Sequence, residues 1–521
     1  MYLGSLRITT KRGNEMIGVI GFDNELYLEQ QTAAIAQRVN RFQNKLYLEF
    51  GGKLLFDYHA SRVLPGYDPN VKVRLLRQLK ESAEVILCIY SGDIERKKIR
   101  ADFGITYDSD ALKMIDDLGE WGIQVSAVVI TRYENQAASR AFKSRLEHRG
   151  VSVYTHGFTR GYPSDVDVIV SQEGYGANAY IPTTRPIVVV TGPGPGSGKL
   201  ATCLSQLYHD YNRGIQSGYA KFETFPVWNM ALNHEVNLAY ESATADLRDS
   251  NKIDHYHLDV YNEPAVSYNR DVSAFPLLKR ILEKITGRSS IYRSPTEMGV
   301  NQVAFGIVND GVVREAARQE ILRRYFRSAC EYAMGLIEKD ALHRVELLTQ
   351  ELGIKPEDRN VVPPAREAAQ RAKRKGKGND GVFCGAAIEL RDGNIVTGCN
   401  SPLMHAASSM VLNAVKELAG IPDEIPLLPS NIIESIGGLK REILLNGKNV
   451  SLNLEETLIA LGISAISNPM AEVALKRLKE LRNCEVHITH IPTPGDEAGL
   501  RKLGVNLTSD ADFSAKSLFI S

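Results

Sequence analysis

The chain has 521 residues, 43% of them hydrophobic, with Lys plus Arg and Asp plus Glu equal at 62 each. That length suits three or four domains, and the balanced charge gives no global field for nucleic acid or an anionic membrane. The opening MYLGSLRITTKRGNEM lacks the apolar core of a signal peptide, and no segment holds the 18 or so apolar residues of a membrane span, so a cytoplasmic protein is expected.

Residues 1–15 read as an extension or tag. From 16 to about 225, short apolar runs alternate with amphipathic stretches, which predicts an α/β domain with a parallel sheet, Rossmann-like or P-loop-like. The expected strands are IGVIGF, KLYLEF, EVILCIY, VSAVVI, VSVYT, VDVIVS and IVVVT, in that order. YLEQQTAAIAQRVNRF and SDALKMIDDLGEWG space their apolar residues as core-facing helices do. Ligands of such sheets bind beyond the carboxyl ends of the strands, where EFGGK, YSGD, TRYEN and TGPGPGSGK emerge.

TGPGPGSGK, residues 191–199, lies between the last of these strands and the helix LATCLSQLYHDY. Glycines there let backbone N–H groups converge on an anion, and the helix N-terminus adds partial positive charge. Gly194, Gly196, Ser197, Gly198 and Lys199 are the predicted phosphate-binding residues, with Thr191 and Thr202 assisting. The expected ligand is a phosphorylated small molecule, foremost a nucleotide with magnesium. Two positions depart from G-x-x-x-x-G-K-[ST]: Pro193 stands where glycine belongs and Leu200 where the magnesium-binding hydroxyl belongs. Phosphoryl transfer would then need Ser197, Thr202, Asp167 or Glu173 as a magnesium ligand. The catalytic residues are not identified.

Residues 226–375 read as a mainly helical domain. FPLLKRILEKITG closes on Gly287, and REAARQEILRRYFRSACEYAMGLIEK is a long amphipathic run through which self-association is expected. His255 and His257 share a face if they lie on a strand, and with Asp259 they would suit a metal, although a polar surface explains them equally. VVPPAREAAQRAKRKGKGND reads as an exposed linker. None of the six cysteines forms a C-x-x-C pair, and Cys203, in the first turns after the glycine-rich loop, reads as core.

From 380 to 521 the pattern returns to α/β. GVFCGAAIELRDGNIVTGCN predicts a hairpin turning at Asp392 and Gly393, followed by a helix. This order resembles the start of the cytidine deaminase fold. The residues matching that family's zinc-ligating His, Ala and general-base Glu are His405, Ala406 and Ala407, and no P-C-x-x-C follows, so the likeness implies a topology without zinc. The longer motifs VVVTGPGPGSGKLATCLSQLYHDYNRG, YAKFETFPVWN, EFGGKLLFDYHASRVLPGYDP and YRSPTEMGVN resemble a widespread bacterial family of cytosolic proteins of unknown function, from about Met16 to the C-terminus. That resemblance implies a cytoplasmic, multi-domain α/β protein with no assigned reaction. The alternative to a phosphate-binding protein is a non-catalytic assembly or regulatory protein whose C-terminal region is a zinc-free pseudo-deaminase.

Overall fold

The structure is a computed structural model, and it describes residues 20–42, 45–100, 103–444 and 450–514. The expected extension, residues 1–15, lies outside the described residues. Six parallel strands form the N-terminal sheet: β1 (Lys45–Phe50), β2 (Ala83–Tyr90), β3 (Val125–Thr131), β4 (Val153–His156), β5 (Ile187–Thr191) and β6 (Ser217–Phe222). Their spatial order is β4-β3-β2-β5-β1-β6. Glu49 of β1 stands beside Val190 of β5 and Lys221 of β6, while Leu87 of β2 stands beside Thr191.

Both faces of the sheet are buried, which is why the strands read as continuous apolar runs. One face, with Leu46, Leu48, Val85, Leu87, Val128, Ile130 and Val189, packs on helices Asn24–Arg41, Val71–Gln78, Tyr107–Glu120 and Ala137–Glu147. The other, with Tyr47, Ile86, Cys88, Val188 and Val190, packs on the loop helix Lys199–Asn212 and on Asn269–Thr286. The chain leaves β2 through Tyr107–Glu120 on the first face and leaves β5 through the loop helix on the second. The neighbouring ends of β2 and β5 are therefore a topological switch point, where open α/β sheets form a crevice.

Several expectations are corrected. VDVIVS is no strand: the Asp165 carboxylate accepts the Val168 N–H (3.1 Å) and starts a short helix, Val166–Ile169. Of IGVIGF, residues 17–19 lie outside the described residues, and Phe22 forms an isolated bridge to Ile307. β6 was not foreseen, because Ser217, Gly218 and Lys221 interrupt its apolar pattern. His255 and His257 sit on a helix capped by Asp254, where an i, i+2 pair does not share a face.

The supposed linker is also structured. Val362–Arg374 is a helix with prolines in its first turn, where a missing N–H costs nothing. Its Ala365, Ala368 and Ala372 are buried, and its backbone lies so close to Gly385 that any side chain there would overlap Ala365 O. The sheet beneath it consists of β7 (Gly385–Glu389), β8 (Ile395–Cys399), β9 (Glu485–Ile488) and β10 (Asn506–Ser509) in the order β8-β7-β9-β10. β7 is antiparallel to both neighbours and β9 is parallel to β10.

The central helix, Asp310–Ala333, joins the two sheets. Val313, Ala317 and Ile321 pack in the N-terminal core, so the apolar side expected to drive self-association is consumed inside the chain. At its middle, Glu320 is 1% exposed and meets Arg62 (2.8 Å), His59 (3.0 Å), Arg323 (3.0 Å) and Arg324 (3.4 Å). Arg323 also reaches Glu485 of β9 (2.6 Å), which Arg359 holds from the other side (2.9 Å).

Burial opposes ionisation of Glu320, yet Arg62, His59 and Arg324 hold its carboxyl well below the usual range. Its contribution to stability is therefore present above the unfolded carboxyl pKa and lost as pH falls through the depressed folded value. Glu320→Gln removes the anion facing buried His59 and partly buried Arg62 and Arg324, while Arg323 keeps Glu485, and is expected to destabilise by about 3–5 kcal/mol in urea unfolding at pH 7. The difference from wild type should shrink as the medium is acidified below about pH 4. Equal stability at pH 7 would refute the role given to this carboxylate.

Candidate functional site

The glycine-rich segment Gly192–Gly198 leaves β5 at the switch point and enters the loop helix, for which Gly198 is the N-cap at φ +90. A side chain at Gly198 would be strained by that dihedral and would also lie 2.8 Å from Thr131 Cβ. The loop is tied from outside by β3 and its exit. Thr131 Oγ1 donates to the Ser197 carbonyl (2.8 Å), and the Arg132 guanidinium donates to the Gly196 carbonyl. Lys199 Nζ turns back to the Gly194 carbonyl at 3.4 Å.

Among the described residues, no group accepts a hydrogen bond from the backbone N–H of Gly194, Gly196, Gly198 or Lys199, while Pro195 and Gly196 form a turn between Gly194 and Ser197. The Ser197 hydroxyl, on a residue 2% exposed, is buried without a partner and lies within the loop's curl, against Gly192. Thr191 Oγ1 is likewise buried and unpartnered. The structure thus brings Thr191, Gly194, Gly196, Ser197, Gly198 and Lys199 together. Thr202 points elsewhere: its hydroxyl receives the Cys88 thiol (3.4 Å) in the core. Leu200 packs on the same core.

Neither nearby cysteine is activated. Burial pushes the Cys88 thiol up to about 12 and holds Cys203 well above the usual thiol range, so both are packing residues. Asp167 and Glu173 are engaged at the surface, Asp167 by Lys284 (2.6 Å) and Glu173 by Arg160 (2.5 Å). Among the described residues, no three His, Cys, Asp or Glu side chains gather as a metal site. His405 is held by Asp496 (2.7 Å), whose other oxygen accepts the Leu454 N–H (2.9 Å). Two surface cavities of ≈ 480 and ≈ 250 Å³ border neither the loop nor His405.

Two features of this edge take their geometry from the fold, although TRYEN was expected here from the sequence. Arg132 follows β3 with φ +50, and its guanidinium lies 3.5 Å from the Tyr90 ring centroid, on the lip of the loop. Only strand order places it there. The second is an ionic cluster beyond β1, where Lys221 Nζ bridges Asp271 (2.6 Å) and Glu223 (3.2 Å) and Glu49 accepts the Tyr219 hydroxyl (2.7 Å). β1 separates β5 from β6, so at about 4.8 Å per strand the cluster lies about 10 Å across the crevice from the loop.

Burial raises the Glu223 carboxyl to about 7, with Lys221 opposing and Asp271 and Glu49 adding to the rise. The folded protein then keeps a proton that the unfolded chain gives up above about pH 4.5, so stability falls as pH rises from there through 7. Glu223→Gln should flatten that decline, by at most roughly 3 kcal/mol for a displacement of this size. Melting temperatures of wild type and variant at half-unit steps from pH 5 to 8 check it, and parallel curves would count against the raised carboxyl.

The comparisons with known proteins agree along the whole chain. Residues 20–353 match the family described as "Domain of unknown function DUF1846, N-terminal", and residues 357–519 match "Domain of unknown function DUF1846, C-terminal". The chain is 57% identical over 501 residues to a "UPF0371 protein" of Clostridium botulinum (strain Langeland / NCTC 10281 / Type F), covering 96% of this chain and 99% of the relative. To a "UPF0371 protein" of Clostridium tetani (strain Massachusetts / E88) it is 55% identical over 500 residues, with the same coverage. Matched by both halves of the family description and by near full-length relatives, the chain belongs to the uncharacterised bacterial DUF1846 family.

Proposed function

We propose that the protein binds a phosphorylated small molecule, foremost a nucleotide, on Gly194, Gly196, Ser197, Gly198 and Lys199. The observation that carries this reading is the row of loop N–H groups left without acceptors in a loop otherwise tied down on every side. Unpaired donors at a helix N-terminus, a lysine resting on a carbonyl and a buried hydroxyl without a partner are what an anion would satisfy together. The loop helix, Lys199–Asn212, supplies the dipole.

The geometry favours binding over hydrolysis. Magnesium in such loops takes the hydroxyl after the lysine, and Leu200 packs against the core there. Thr202, Asp167 and Glu173 are each engaged elsewhere, which leaves Ser197 as the hydroxyl within the loop. Calorimetric titration of ATP, GTP and glucose 1-phosphate into wild type and Lys199→Ala tests the reading. A charge-assisted contact contributes about 1.5–3 kcal/mol, so the substitution should weaken at least one of these ligands about 10- to 150-fold. Indifference to the substitution across all three would remove the basis for a phosphate site.

A second reading, an assembly protein, is favoured by one surface of the C-terminal region. Ile459 (64% exposed), Ile463 (50%) and Ile466 (86%) form a stripe along and just past helix Leu454–Ser464, with Met470 and Val473 on the next helix. Their spacing of three and four residues and the absence of charge along the stripe suit a second copy of the helix. A homo-oligomer is then expected, and Ile459→Glu with Ile463→Glu should lower the mass in light scattering. A wild type that stays monomeric at high concentration would dismiss it.

A further inference from the structure

We infer that Arg132 is the second cationic ligand of the loop, and that the group selected there is a diphosphate rather than a single phosphoryl group. This rests on the phosphate reading above and adds to it a residue and a ligand class.

Two cations now rest on one tripeptide, Lys199 on the carbonyl of Gly194 and Arg132 on the carbonyl of Gly196. A neutral carbonyl is a weaker partner for either than an anionic oxygen, which adds the attraction of opposite charges. Gly194 and Gly196 are two residues apart, which separates their carbonyls by at most about 7 Å. The two charges therefore flank the loop's N–H groups, an arrangement suited to two adjacent phosphoryl groups. Arg132 presents a planar fork suited to paired phosphate oxygens, whereas Lys199 acts as a point charge.

The surroundings hold Arg132 ready. Its carbonyl accepts the Ser91 hydroxyl (2.7 Å) and its guanidinium lies flat over Tyr90, so its backbone and its stacking plane are set independently of the Gly196 contact. Lys98, over the Tyr107 ring at 5.0 Å, adds a third positive charge on the same side of the loop, since Tyr107 packs against Gly194. Of the acidic groups at this sheet edge, Glu49 lies on β1, Glu223 and Asp271 gather about Lys221 of β6, and Asp93 at the exit of β2 is paired with Arg96.

The test is calorimetric titration of inorganic phosphate and of pyrophosphate into wild type, Arg132→Ala and Arg132→Lys. Wild type should bind pyrophosphate at least about tenfold more tightly than phosphate. Arg132→Ala should abolish that preference by weakening pyrophosphate about 10- to 100-fold while changing phosphate less than about threefold. Arg132→Lys, which keeps the charge and secures the test if the alanine variant folds poorly, should restore part of the preference. A preference that survives Arg132→Ala, or equal losses for both anions, overturns the inference while leaving a phosphate site standing. Failure of wild type to bind either anion overturns both.

Discussion

Glu320 is a buried carboxylate that three parts of the chain share. Arg62 and His59 come from the N-terminal core, Arg323 and Arg324 from its own helix, and through Arg323 the network continues to Glu485 and Arg359 beneath the C-terminal sheet. Excess positive charge explains its strength. The node gathers cationic or basic groups around a carboxylate that is 1% exposed, so none of them can be desolvated unless the anion stays ionised. Arg359 records the same pressure, with burial and then Arg323 lowering it to about 10. The central helix therefore acts as a strut between the sheets, fixed by charge at its middle and by Val313, Ala317 and Ile321 on its N-terminal side. A second ionic contact secures the far side, where Asp510 is held to about 2 against burial by His487 and Arg366.

Where the amino-acid sequence was legible, one periodicity dominated. β1, β2, β3 and β5 are buried on both faces, and their β-branched runs have no helical reading of comparable strength. It misled where a side chain acted on the backbone rather than on the core. Val166–Ile169 has strand-like composition, but the Asp165 carboxylate satisfies the first N–H of a turn and tips the segment into a helix. Val362–Arg374 looked like a linker because its basic residues are conspicuous, whereas the packing is done by alanines small enough to bring backbone against Gly385. For the site, the loop itself was readable, since strand, glycines and lysine are contiguous. The Arg132 contact was not, spanning 64 residues and following only from the order β3-β2-β5, although TRYEN was expected at the same edge.

The carboxyl edge of the sheet carries two charged clusters. Lys98, Arg132 and Lys199 stand about the loop, with Asp93 paired to Arg96 at the exit of β2, and Glu49 of β1, Glu223 and Asp271 gather about Lys221 of β6. A ligand with a charged and a neutral hydroxylated end has only one favourable orientation across such an edge. The raised Glu223 carboxyl, protonated below about pH 7, would then donate to a hydroxyl or carbonyl rather than repel the phosphate end.

The two prolines bear on the loop's chemistry as much as the lysine does. Pro193 and Pro195 remove two N–H donors, which argues against anion binding if donors alone are counted. The donors that remain, from Gly194, Gly196, Gly198 and Lys199, are held in a backbone whose φ is fixed at both prolines and whose carbonyls are anchored by Thr131, Arg132 and Lys199. A loop already ordered loses little conformational entropy when an anion arrives, so fewer donors can give the same affinity. Rigidity has an opposite effect on reaction, since closing a metal and a nucleophile around a phosphoryl group asks the loop and its helix start to move together. Leu200, partly buried, packs against the core that holds Cys203, and Thr202 is fully buried, so the first turn of that helix is anchored to the interior. The same features that would let the loop hold phosphate, as proposed, thus separate it from the hydrolytic use of similar loops.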